Sequence, residues 1–131
     1  MKKTKWLALL FVAVASLASS GCALLLVGTG AAIGAGTVAY LGGELQATED
    51  APLDKARQAA EAALSDMKLP ITKTVTEAGA TTLIARGADD TRIEIKLTVV
   101  SPNVTRVGIR IGAFGDEALS LHILEKIEKR L

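Results

Sequence analysis

An α+β domain is the fold that this sequence predicts, in the order β-α-β-β-β-β-α, with both helices on one face of an antiparallel sheet. Three observations lead there. Arg92 to Val99 alternates apolar and polar residues without a break, and after a short turn Val104 to Ile111 alternates again, with Val107, Ile109 and Ile111 on one face. A stripe of apolar residues at helical spacing precedes this strand-rich stretch, and a second one follows it. From Ile71 on, the connections between the strands are short, which joins those neighbours as antiparallel pairs.

The elements follow in order from Glu44. Glu44 to Thr48 reads as a short first strand, leading into Glu49-Asp50-Ala51-Pro52. Pro52 suits the first turn of a helix, and acids suit its positive end. Leu53, Ala56, Ala60, Ala63, Leu64 and Met67 then form one apolar face, and Pro70 stops the helix. Because that face is mostly alanine, the helix should lie close on the sheet. Ile71 to Glu77 and Thr81 to Arg86 are rich in Thr, Val and Ile around Ala78-Gly79, and read as two strands. The pattern leaves open whether Leu83 or Ile84 is the buried member of the second. Asp89-Asp90 marks a turn.

For the next hairpin, a loop of Ser101-Pro102-Asn103 pairs Val100 with Val104. That register sets Leu97 opposite Val107, Ile95 opposite Ile109 and Ile93 opposite Ile111, with Glu94 facing Arg110 on the other side. Gly112 to Gly115 ends the sheet. Asp116-Glu117 opens a last helix whose apolar stripe is Leu119, Ile123, Leu124, Ile127 and Leu131, with Glu125 and Lys129 as a favourable i,i+4 pair.

What precedes residue 44 has a different character. Lys2, Lys3 and Lys5 form a positive start, Trp6 to Ala15 is an unbroken apolar run, and Ser16 to Gly21 is dominated by small residues. That order is a secretory leader, and its apolar run is too short to span a bilayer. It ends at Cys22, the only cysteine of the chain. A lone thiol in an exported protein cannot close an intrachain disulfide and needs another explanation. Acylation supplies it: Cys22 reads as the lipidation site of a bacterial lipoprotein, carrying palmitate-type acyl chains. Ser20 and Gly21 fit the small residues that the lipoprotein signal peptidase takes before its cysteine. Ser19 departs from the large aliphatic usual three positions before it. The expected division is a leader over 1–21, a lipidated N-terminus with a Gly/Ala-rich apolar segment over 22–43, and a periplasmic domain over 44–131.

The whole chain has 131 residues and a formal net charge of +1. Without the leader, 12 basic residues face 14 acidic ones, a net charge of −2. Neither that balance nor two remaining aromatics, Tyr40 and Phe114, fits nucleic-acid binding. From Trp6 through Gly43 there is no charged residue. The part after Cys22 approaches the length of a membrane-spanning helix, about 20 residues, and spaces Gly28, Gly30, Gly34 and Gly36 as helices that associate in lipid do. Three readings stand open: a self-associating membrane helix, an interfacial apolar tether, and a packed part of the domain. Gly28-Thr29-Gly30 is no dinucleotide fingerprint, since its third glycine would fall at Ile33.

No constellation for catalysis is legible. His122 is the only histidine and no second histidine or cysteine stands near it, so neither metal nor cofactor is expected. Asp116-Glu117 is explained by helix capping and Asp89-Asp90 by a turn. Arg92, Lys96, Arg106 and Arg110 share the polar face of the sheet, either as a solvated surface or as a face for anionic lipid or a partner's acidic patch.

The run from Ser101 through Val104-Thr105-Arg106 to Gly112-Ala113-Phe114-Gly115-Asp116-Glu117, continued by Ser120 and by Ile123-Leu124-Glu125-Lys126-Ile127, resembles a family of small Gram-negative bacterial lipoproteins known only as a domain of unknown function. Tyr40, Gly43-Glu44-Leu45 and Ala51-Pro52-Leu53-Asp54-Lys55 also fit it. The resemblance implies an envelope lipoprotein and imports no activity. Similarity to enterobacterial lipoproteins implies that Ala23, a non-aspartate after the cysteine, sorts it to the outer membrane. The expectation is a non-enzymatic binding or assembly module with an envelope protein partner. The alternative is a membrane protein that self-associates through its Gly-rich segment.

Overall fold

The computed structural model describes residues 37–131. Cys22, Gly28, Gly30, Gly34 and Gly36 lie outside them. Within them run β1 (Val38–Leu41), β2 (Glu44–Glu49), α1 (Leu53–Asp66), β3 (Ile71–Glu77), β4 (Ala80–Arg86), β5 (Arg92–Ser101), β6 (Val104–Ile111) and α2 (Glu117–Glu128). The strands form one antiparallel sheet in the order β1-β2-β6-β5-β4-β3. The expected α+β order is therefore present, with one strand more at its N-terminal edge.

That strand is β1. The sheet begins at Val38 and not at Glu44, because Val38 to Leu41 folds back on β2 through Gly42-Gly43. Both glycines have positive φ, +58° and +83°, the backbone of a tight hairpin turn whose twist matches its strands. The apolar character of this segment, which fits a membrane tether in isolation, here serves an edge strand whose Tyr40 packs against the core.

The core lies on one side of the sheet. Leu45 and Ala47 of β2, Val107, Ile109 and Ile111 of β6, Ile93, Ile95 and Leu97 of β5, and Leu83 and Ala85 of β4 face the helices and are buried. From α1 come Ala56, Ala59, Ala60, Ala63 and Leu64; from α2 come Ser120, Ile123, Leu124 and Ile127. The alanine face brings α1 close to β4, β5 and β6, while α2 covers β2 and β6. The pairs Leu97–Val107, Ile95–Ile109, Ile93–Ile111 and Glu94–Arg110 stand as the alternation requires.

The turn of that hairpin differs from expectation. Ser101, not Val100, pairs with Val104, leaving Pro102-Asn103 as a two-residue turn and an irregularity between Val99 and Ser101. Val100 is the residue bulged out, and it is exposed. In β4 the open choice resolves without a loser. Leu83 packs beneath the helices opposite Ile95, and Ile84 lies on the other face opposite Glu94, only 8% exposed.

Helix ends are closed differently. Asp116 caps α2, its carboxylate accepting the Leu119 amide at 3.0 Å. Pro52 stands at the N-cap of α1 with extended backbone and no side-chain cap. Thr105, fully buried, donates its hydroxyl at 2.8 Å to the carbonyl of Ala51 and so ties β6 to the start of α1. At the other end Lys68 and Leu69 donate to the carbonyls of Ser65 and Leu64, with Lys68 in the left-handed region at φ 57°. This is the closing motif in which glycine is the commonest occupant.

Candidate functional site

Two surfaces stand out among the described residues: the sheet face away from the helices, and the loop between β6 and α2.

Alternation puts Arg92, Glu94, Lys96 and Thr98 of β5 on the open face, with Arg106, Gly108 and Arg110 of β6 beside them and Glu44, Gln46 and Thr48 of β2 beyond. All four cations singled out in the sequence thus share one surface. They do not form a uniform positive patch. Arg92 bonds Glu94 at 2.7 Å along the same strand. Arg110 lies between Glu94 and Glu44, reaches the Glu44 carboxylate at 3.8 Å, and donates at 3.2 Å to the Gly42 carbonyl. Gln46 leans toward the same carboxylate at 3.4 Å. Gly108 leaves room for it, because a side chain there would meet Glu44 Oε1. Lys96 is exposed beside that gap. Arg106 stands between Thr98 and Thr48, with its Nε buried and without a hydrogen-bond partner. The face is a mixed charge lattice in which acids from β2 and β5 take up Arg92 and Arg110.

The β6–α2 loop is the second surface. Phe114 at its tip is 96% exposed, although its backbone is tightly held. The Phe114 carbonyl lies against Gly43 in the β1–β2 turn, and a side chain at Gly115 would run into the Tyr40 hydroxyl and the Gly43 backbone. In the sequence, Gly112 to Gly115 reads only as the end of the sheet. The signal was a large aromatic between small residues in a turn, where polar residues are usual.

Among the described residues, three carboxyl groups are shifted from the ordinary range. Glu49, at the end of β2, has its carboxyl pushed above the ordinary range by burial, then by the nearby charges of Glu128 and Asp50. Asp89 is lowered by hydrogen bonds from Thr91, and Glu125 by its contact with Lys129. His122 is exposed on α2, with Nδ1 3.8 Å from Glu125. Among the described residues, no three of His, Cys, Asp and Glu gather as metal ligands would. A shallow hollow of about 250 Å3 lies beside α1, lined by Lys55, Gln58, Ala59, Ala62 and Arg130. The Arg130 guanidinium is engaged by Asp66. No described helix is long and apolar enough to cross a membrane.

Fold and surface together define a small α+β domain: a six-stranded antiparallel sheet, helices on one side, a charged lattice on the other. The chain belongs to the family described as "Protein of unknown function (DUF3568)", whose model matches residues 5–130. Comparison with curated proteins finds no match.

Proposed function

We propose that the protein is a bacterial envelope lipoprotein, held at the outer membrane by acyl chains on Cys22, whose α+β domain acts in the periplasm as a non-enzymatic binding or assembly module. The carrying observation is the order of the first 22 residues: three lysines, an apolar run, small residues and the sole cysteine. The fold supports the reading in two ways. Fifteen residues, 23 to 37, separate Cys22 from the first described strand, a chain length of about 50 Å at full extension. The open face of the sheet offers paired charges and no convergent set of titratable groups, which suits binding better than bond-making.

The glycine spacing of residues 28 to 36 favours a second reading, self-association in the membrane. One experiment separates them. The Cys22→Ala variant should leave the membrane fraction if the acyl chains are the anchor, whereas retention in the membrane defeats that anchor. Crosslinked ladders that vanish on Gly30→Leu or Gly34→Leu would identify self-association.

A further inference from the structure

We infer that the β6–α2 loop is a membrane-contacting point, with Phe114 seated in the headgroup region of the phospholipid bilayer that carries the protein. The inference rests on the proposed acylation of Cys22 and adds to it an orientation of the domain.

Phe114 is almost wholly in water although a soluble fold gains by covering such a ring, which exposes about 150–250 Å2 when free. Looseness does not explain the exposure. The loop backbone is fixed against the β1–β2 turn through Gly43, Gly115 and Tyr40, so the ring is presented from a rigid base. Leu41, which leads into that turn, is 46% exposed. The Arg110 guanidinium bonds the Gly42 carbonyl of the same turn, and its side chain stays partly open to solvent.

Size decides what covers the ring. A stable protein interface takes roughly 800 Å2 from each partner, with an apolar centre. Here one aromatic stands among Gly112, Ala113, Gly115 and the capping Asp116. That is too small a surface for a second copy or another protein to hold by itself. A bilayer needs no complementary shape and accepts a single protruding apolar ring.

Reach agrees. The 15 residues from Ala23 to Thr37 can span at most about 50 Å, and β1 adds about 13 Å between its entry and the turn that touches the loop. An acylated Cys22 therefore keeps the tip within roughly 60 Å of the bilayer, and one apolar contact would supplement the acyl chains and select one face of the domain.

Once the leader is removed the mature chain has no tryptophan, so Phe114→Trp introduces a single reporter. The acylated full-length mature protein is reconstituted into phosphatidylethanolamine–phosphatidylglycerol vesicles, with or without lipids bearing a nitroxide near the headgroup. Val100→Trp, in β5 beside the hairpin turn that opens β6 and also exposed, is the control. The expected result is blue-shifted emission and loss of intensity to the nitroxide at position 114, with neither at position 100. Water-like emission at 114 in protein that floats with the vesicles overturns the membrane contact and leaves the acyl anchor intact. A blue shift without nitroxide quenching means that protein covers the ring, and overturns it as well. Failure to float overturns the anchor and the inference together.

Discussion

Replacing Gly115 with alanine tests how the Phe114 loop is held. Gly115 has φ +82°, and an added Cβ would press on the Tyr40 hydroxyl and the Gly43 carbonyl oxygen, and lie 2.6 Å from the Gly43 Cα. Two costs arise. Left-handed backbone costs an L-residue about 1–2 kcal/mol, and forcing a methyl into occupied space costs about 1–3 kcal/mol more. The second cannot be relieved by a side-chain rotation alone, since two of the three atoms belong to backbone. Gly79→Ala isolates the first cost. Its φ is +74°, yet no atom lies within 4 Å of the added Cβ. The predicted loss is about 3 kcal/mol for Gly115→Ala and about 1 kcal/mol for Gly79→Ala. For a domain of this size each kcal/mol lowers Tm by about 4–8 °C. Thermal unfolding of the detergent-solubilised full chain, followed by far-ultraviolet circular dichroism, should therefore separate the two by more than about 8 °C. Equal losses would show that the loop is not braced on Tyr40 and Gly43.

Three further outcomes follow from single contacts. Lys68→Gly relieves a left-handed lysine at the end of α1 and should stabilise by about 0.5–1 kcal/mol, read from urea midpoints at unchanged slope. Ser120→Ala removes a hydroxyl buried without a hydrogen-bond partner; it should be neutral or raise Tm, and a loss above about 1 kcal/mol would mean that the hydroxyl is satisfied in solution. Glu49 has a raised carboxyl pKa, so the native state holds its proton more tightly than the unfolded chain. Stability from this group is greatest below the ordinary value of 4.5 and declines as pH rises through the raised one. Glu49→Gln should therefore be the more stable form at neutral pH, by about 0.5 kcal/mol or less given its solvent screening, with the gap closing in acid; a gap that widens in acid contradicts this.

The sheet's centre was legible in the sequence because two independent patterns agree there. Ile93, Ile95, Leu97, Val107, Ile109 and Ile111 fix one face, while Glu94 and Arg110 fix the other, and a register slip would break both. The alanine stripe of α1 was legible for the same reason, since small residues at helical spacing have one economical use beside a sheet. What escaped depends on contacts between distant segments. β1 is an apolar, glycine-bounded stretch whose local character also fits a tether, and only pairing with β2 makes it a strand. Leu83 and Ile84 could not be ranked because both are buried, on opposite faces. Within the candidate site, alternation placed Arg92, Lys96, Arg106 and Arg110 on a common face. It could not reveal that Arg110 turns to Glu44, because the neighbourhood of β2 and β6 is a fact of strand order. The exposure of Phe114 is also non-local: it comes from a loop locked to a turn some seventy positions earlier in the chain.

Mass spectrometry of the N-terminus, taken from protein extracted out of cell membranes, bears most directly on the central claim. A first residue Cys22 with a diacylglyceryl thioether, with or without a third acyl chain on its amine, is the predicted species. An intact Met1, or a chain starting at or near Cys22 with a bare thiol, would contradict it.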